Sequence, residues 1–145
     1  MSRVSQILQM SNQTTVYTVS PWTTILEAVR LARSMNVGAL PVLDEDGLVG
    51  IISERDFSFQ VLAEMIDPSK AVVNDFMTPD PAYVTPFTDV MDCLNLMKEM
   101  KARHVPVIDK KKLVGIVSMR DVLYALLKNQ MFLAEQFESY ILGAR

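Results

Sequence analysis

Hydrophobic and polar positions follow the same course twice along the chain. In each half, apolar residues three and four positions apart predict an amphipathic helix with one buried stripe. The stripe consists of Ile25, Val29, Ala32 and Met35 in the first half and of Val90, Leu94, Met97 and Met100 in the second. Two short, β-rich apolar runs follow each helix and predict a hairpin. These runs are residues 40–43 and 48–53, and then residues 105–108 and 113–118.

Each half also has a predicted strand before its first helix and a second helix after its hairpin. The strands are residues 16–19 and 82–85, and the second helices are residues 54–66 and 119–128. Thr24 with Glu27 forms a capping-box pattern at the start of one first helix, and Asp89 is the N-cap candidate of the other. The predicted unit is β-α-β-β-α, and residues 129–142 predict one more, weakly amphipathic helix.

The two halves are copies of one unit. Residues 19–57 align with residues 84–122 without a gap, and 15 of the 39 aligned positions are identical. The predicted organisation is a first repeat at residues 1–66, a linker at 67–72, a second repeat at 73–128 and a C-terminal helical extension at 129–145. Because each repeat is small for an independent domain, we expect the two to form one compact module.

Composition excludes several classes of protein. Half of the 145 residues are hydrophobic, and 14 basic against 17 acidic residues give a net charge of −3, which disfavours nucleic acid as a partner. Cys93 and His104 are the single residues of their types, so a disulfide within the chain and a four-ligand zinc site are excluded. A reducing, cytoplasmic location is expected. No apolar run approaches the roughly 18 residues of a membrane-spanning helix, so no membrane association is expected.

Two motifs occur in both copies, in the same order and at the same spacing. The first is hydrophobic-Pro-Val-hydrophobic-Asp, at residues 40–44 and 105–109. The second is Gly-hydrophobic-hydrophobic-Ser-x-x-Asp, at residues 50–56 and 115–121. Together they resemble a tandem pair of CBS (cystathionine β-synthase type) domains, and the resemblance covers nearly the whole chain. It implies an α+β fold in which two repeats pack around a pseudo-twofold axis and leave two clefts.

The resemblance also implies a ligand. Family members commonly bind AMP, ADP or ATP, and in some cases NAD(H), S-adenosylmethionine or a cyclic dinucleotide, and they often form homodimers that regulate a partner protein. A Ser at a strand end and an Asp in the next helical turn bring a hydroxyl and a carboxylate to one rim, where a ribose diol finds an acceptor. By the resemblance, Asp56 with Ser53 and Asp121 with Ser118 have this role.

Further candidate ligand-binding residues follow from the family's geometry. Adenine would lie beside the main chain of the Pro-containing strand, and each cleft would draw on the first strand of the other copy. The additional candidates are Ala39, Leu40, Arg55, Thr78, Ala82 and Tyr83 for the Asp56 cleft, and Val16, Tyr17, Arg103, His104, Val105 and Arg120 for the Asp121 cleft. Because Arg103, His104 and Arg120 can favour an anionic ligand, we expect Asp121 to mark the better site.

Three functions remain open. The main hypothesis is a non-catalytic regulatory module that binds an adenine nucleotide and modulates an unidentified partner, without a cofactor or a metal. The alternative is a structural dimerisation module with empty clefts, in which Asp56 and Asp121 only cap helices and residues 129–142 dock a partner.

A dimer contact is also predicted. The acidic turn at residues 44–46 and the basic turn at 110–112 would meet across an antiparallel dimer. A nucleotide-acting enzyme ranks last, because a phosphate-binding Gly-rich loop and a paired base and nucleophile are missing.

Overall fold

A computed structural model describes residues 2–11 and 15–142. Within these residues the chain divides into two compact units. The first unit contains residues 15–82 and 110–114, and the second contains residues 2–11, 83–109 and 115–142. None of the helices in the described ranges has the length and apolar character needed to cross a membrane.

The fold mixes helices and strands, and the order of elements repeats. The helices are α1 (Val4–Met10), α2 (Ile25–Met35), α3 (Glu54–Asp56), α4 (Val90–Met100) and α5 (Met119–Ile141). The strands are β1 (Ala39–Asp44), β2 (Gly47–Ser53), β3 (Thr78–Pro79), β4 (His104–Asp109) and β5 (Lys112–Ser118). A π-helical segment, Phe57–Leu62, continues α3, and a 3-10 turn spans Val73–Asp75. Each repeat therefore has the predicted helix, hairpin and second helix in that order.

The predicted capping residues begin the two matching helices. The Thr24 hydroxyl accepts the Glu27 backbone N–H at 3.1 Å, and an Asp89 carboxylate oxygen accepts that of Met91 at 2.8 Å. Both helices end on a residue in the left-handed region, Asn36 in α2 and Lys101 in α4. These caps satisfy backbone groups that helix ends leave unpaired, which fixes where α2 and α4 start and stop.

The two hairpins turn differently, and the relevant difference in sequence is the glycine at position 47 of the first. β1 and β2 join through Glu45 and Asp46, and the turn closes on Gly47 at φ +115°. The second hairpin has Lys112 in place of this glycine, and Lys110 and Lys111 take positive φ values of 50° and 67° instead. Two successive left-handed residues are typical of a type I′ turn. The side chains of both turns are exposed, and their pairing across a dimer stays a prediction.

Each unit has its own hydrophobic core, built from the stripes that the sequence predicts. The first core contains Val19, Ile25, Ala28, Ala32, Leu40, Val42, Ile52, Val61 and Val73. The second contains Val4, Ile7, Val84, Val90, Cys93, Met97, Val105, Val107, Val117, Val122 and Ala125. Burial of these apolar side chains is the main stabilising contribution within each unit.

The N-terminal segment lies in the second unit, although the sequence places residues 1–66 in the first repeat. Val4 donates its backbone N–H to the Thr88 carbonyl at 2.9 Å, and Ser5 donates to the Pro86 carbonyl at 2.9 Å. In the first unit, Val73 donates to the Thr23 carbonyl at 2.9 Å in the same way. The segment that starts at Ser2 therefore packs against the second repeat. The segment after the linker packs against the first repeat through the matching backbone hydrogen bonds.

Several predicted elements have different extents in the structure. The strands predicted at residues 16–19 and 82–85 reduce to single parallel bridges, Val19 with Val42 and Val84 with Val107. The second helix of the first repeat, predicted at residues 54–66, is shorter in the structure, because its π-helical segment ends at Leu62. The two helices predicted at residues 119–128 and 129–142 are one continuous helix, α5, because no Gly or Pro interrupts it.

Candidate functional site

The first candidate site is the junction between β2 and α3. Ser53 ends the strand in an extended conformation, and both its backbone N–H and its hydroxyl donate to Oδ2 of Asp56, at 2.9 and 3.1 Å. The backbone N–H of Glu54 donates to the Gly38 carbonyl at 3.0 Å, which holds the junction against the start of β1. The structure thus brings Ser53 and Asp56 together as predicted, and both side chains are half-buried.

The second candidate site is the matching junction between β5 and α5. The Ser118 hydroxyl accepts the Asp121 backbone N–H at 3.0 Å, and the Ser118 N–H donates to Oδ2 of Asp121 at 3.3 Å. The Met119 N–H donates to the Arg103 carbonyl at 2.7 Å, which places Arg103 next to the junction. Ser118 and Asp121 form a reciprocal helix cap, and the half-buried carboxylate lies at the N-terminus of a 23-residue helix.

The two junctions differ at Oδ1, the second carboxylate oxygen of each aspartate. At the first junction, the Gln60 side-chain amide donates to Oδ1 of Asp56 at 2.8 Å. The residue in the place of Gln60 in the second repeat is Ala125, which cannot donate. At the second junction, the hydrogen bonds with Ser118 use the backbone N–H and Oδ2 of Asp121 and not its Oδ1. The first carboxylate therefore accepts a side-chain hydrogen bond from Gln60 that Ala125 cannot supply to the second.

The arginines of the two motifs also differ in their surroundings. The guanidinium of Arg55 lies over the ring of Phe59, 5.5 Å from its centroid, which is cation–π geometry. In the second repeat, Tyr124 takes the place of Phe59, and both Arg120 and Tyr124 are exposed. Sequence reasoning missed Phe59 and Gln60 as partners of the site. The signal that could have found them is their spacing, because residues four apart share one helix face.

The candidates on the Pro-containing strands are placed for main-chain contacts. Ala39, Leu40 and Val105 are at most 3% exposed, so their side chains are buried and a ligand could meet only their backbone groups. His104 begins β4 and is half-buried, whereas Arg103 is exposed.

The remaining candidates divide between the units. Thr78 lies in β3, opposite Ile51 of β2, and shares the first unit with Asp56 and Ala82. Val16 and Tyr17 belong to the first unit and Tyr83 to the second. Their predicted association with Asp121 and Asp56, respectively, stays a prediction.

The chemistry of metal binding and of thiol nucleophiles has little support at these residues. In the described ranges, no group of three or more His, Cys, Asp or Glu side chains is arranged to hold a metal ion. Burial raises the pKa of the Cys93 thiol to about 11, so the thiol stays protonated at neutral pH. A protonated, buried thiol is inert as a nucleophile.

Comparison with known proteins identifies the class to which this fold and these junctions belong. The sequence model of the CBS domain family matches residues 4–62 and again residues 73–128. The chain therefore belongs to the CBS domain family and contains two repeats of that domain.

Relatives and solved structures agree with this membership. An uncharacterised 17.7 kDa protein of Acidianus ambivalens is 41% identical over 128 residues, covering 87% of this chain and 74% of the relative. A signal-transduction protein with CBS domains from Burkholderia ambifaria has a TM-score of 0.83 and 33% identity, covering 89% of this chain and 96% of its own.

Two further structures with known ligands or assemblies are similar to this chain. CBSX2, solved in complex with AMP, has a TM-score of 0.70 and 31% identity, covering 90% of this chain and 99% of its own. A hexameric CBS-CP12 protein from bloom-forming cyanobacteria has a TM-score of 0.78 and 28% identity, covering 86% of this chain and 70% of its own.

Proposed function

We propose that this protein is a non-catalytic regulatory module that binds an adenine nucleotide and modulates a partner protein. The observation that carries the proposal is the Ser118–Asp121 junction, where a half-buried carboxylate that meets Ser118 through Oδ2 lies beside a helix N-terminus. A carboxylate accepts hydrogen bonds from both hydroxyls of a ribose diol, and charge-assisted bonds of this kind are the stronger ones. Asp121 is therefore the proposed ribose acceptor.

Basic groups near this junction suit the phosphate of a nucleotide. Arg103 is tied to the start of α5 by its own carbonyl, and Arg120 lies in the first turn of that helix. An arginine binds phosphate oxygens through two parallel N–H donors, and the helix N-terminus adds a favourable partial positive charge. The first repeat has Gly38 in the place of Arg103, so it lacks one of these groups.

AMP is the first ligand to test, because a similar structure was solved as a complex with AMP. ADP, ATP, NAD(H) and S-adenosylmethionine share the adenosine that Asp121 would recognise, and a cyclic dinucleotide has the adenine base without the full diol. Occupancy can change the partner only if the nucleotide binds two states of the module with different affinity.

The second proposed property is self-association through the exposed apolar side chains of α5. From Met131 onwards the helix exposes large apolar side chains, including Phe137 at 66% and Tyr140 at 79% exposure. Leu133, Phe137 and Tyr140 continue, at helical spacing, the stripe that Val122 buries in the second core. The hexameric assembly of a similar protein supports a second copy of this chain as the occupant of this stripe. Exposed apolar patches of this kind mark interaction sites.

A thermal-shift panel separates ligand binding from pure dimerisation. The unfolding midpoint of the full chain is measured with AMP, ADP, ATP, NADH, S-adenosylmethionine and a cyclic dinucleotide, and with guanosine monophosphate as the control for the base. A ligand at 100 times its Kd stabilises the folded state by about 2.7 kcal/mol, which raises the midpoint by several degrees. Stabilisation by an adenine nucleotide supports the proposal, and an unchanged midpoint with every ligand favours the dimerisation module.

A further inference from the structure

In the first repeat, the Gln60 side chain competes with a ligand for the candidate site at Asp56. The Gln60 amide donates to Oδ1 of Asp56 at 2.8 Å while Ser53 donates twice to Oδ2, so the first repeat's carboxylate already accepts three hydrogen bonds. The Arg55 guanidinium is likewise engaged, over the Phe59 ring. Both polar groups of the motif are therefore occupied by residues one helical turn further along the chain.

The π-helical segment accounts for the exposure of residue 60, whose counterpart in the second repeat is buried. In the second repeat, the matching residue Ala125 is 7% exposed and lies in the core of its unit. In the first repeat, Val61 is 3% exposed and fills the core, and Gln60 is exposed. The π-helical turn inserts extra backbone into the helix, which changes the direction of the following side chains. Position 60 thus leaves the core, and its side chain, four residues after Asp56, donates to that carboxylate.

We infer that Gln60 is a specificity-determining residue that makes the two repeats unequal in ribose binding. The inference rests on the proposed function and adds to it which repeat takes the nucleotide. A ribose hydroxyl that binds Oδ1 of Asp56 competes with the Gln60 amide for that oxygen. At Asp121 the matching residue is Ala125, whose side chain cannot compete. Nucleotide therefore fills the Asp121 site first, and the Asp56 site takes it more weakly.

Calorimetry of the full chain with AMP isolates the effect of Gln60. In an Asp121→Ala background only the first site remains, and its Kd is compared with and without Gln60→Ala, which installs the residue of the second repeat. Losing one competing hydrogen bond is expected to tighten AMP binding roughly 2- to 10-fold. Gln60→Asn, one methylene shorter, should tighten binding similarly, because its amide no longer reaches Asp56. Gln130→Ala, at an exposed position of α5, is the matched control and should leave the Kd unchanged.

The outcomes distinguish this inference from the proposed function. Two equal AMP sites in the unsubstituted chain, or a Kd of the first site that Gln60→Ala leaves unchanged, would overturn the inference and leave the proposed function standing. Absence of AMP binding in the unsubstituted chain and in the Gln60→Ala chain would overturn both. A thermal unfolding curve of each variant confirms that it is folded before its Kd is interpreted.

Discussion

The backbone N–H of Val4 donates to the carbonyl of Thr88 at 2.9 Å, and the Val4 side chain is fully buried in the core of the second unit. Val73 makes the matching bond to Thr23 and is also fully buried in the first unit. Residues 2–10 are therefore a structural part of the second unit.

Val4→Ala is expected to destabilise the protein by about 2 kcal/mol, because it removes two buried carbons and leaves a cavity. Val73→Ala should have an effect of similar size, since it occupies the same place in the other unit. The free energy of unfolding in urea measures both, with Gln9→Ala, at an exposed position of α1, as the control. A loss below about 0.5 kcal/mol for Val4→Ala would contradict the assignment of this segment to the second core.

Burial of the Cys93 thiol predicts that the folded state loses stability at alkaline pH. Burial raises its pKa from the ordinary 9.0 to about 11, so the folded chain keeps the proton that the unfolded chain loses. The thiol's contribution to stability is complete below pH 9 and is lost as the pH rises through 11.

Cys93→Ala tests this effect, and Ala28 already occupies the matching position in the first repeat. Between pH 7.5 and pH 10, the unsubstituted chain should lose about 1 kcal/mol more of its unfolding free energy than Cys93→Ala does. Equal losses in the two proteins, measured by urea unfolding at both pH values, would show that the thiol ionises as readily in the folded chain as in the unfolded one.

If copies of the chain associate through the exposed apolar stripe of α5, a charge placed in that stripe should weaken their association. Phe137→Glu places a charge in the stripe, so it should lower the mass measured by light scattering at a fixed protein concentration. Ser139→Glu adds the same charge on the opposite face of α5 and should leave the mass unchanged. A monomeric mass for the unsubstituted chain, or an unchanged mass for Phe137→Glu, would rule out α5 as the contact between copies.

The sequence predicted the repeat, the α2 and α4 helices with their caps, both hairpins and the Ser–Asp pairs. These features depend on local spacing, on turn chemistry and on side chains only three residues apart. Membership of the CBS domain family, indicated by the two motifs, is confirmed by the family match.

Other features depend on contacts that local sequence does not encode. The place of Ser2–Met10 in the second unit comes from backbone bonds to residues 86–88, which lie far away in the sequence. The strand predicted at residues 16–19 forms one bridge, because only Val19 pairs with the chain around Val42. The π-helical segment follows from which of residues 60 and 61 fills the core, and this choice depends on tertiary packing.

The most direct test of the central claim compares AMP with 2′-deoxy-AMP on Asp56→Ala, which keeps only the Asp121 site, and on the double variant Asp56→Ala/Asp121→Ala. If Asp121 accepts the ribose diol, removal of the 2′-hydroxyl should weaken calorimetric binding to Asp56→Ala roughly 10-fold or more. The two ligands should then bind the double variant with nearly equal, weaker affinity, because a double-mutant cycle assigns the shared loss to one contact. The same preference for AMP in both proteins, or no preference in either, would contradict ribose recognition by Asp121.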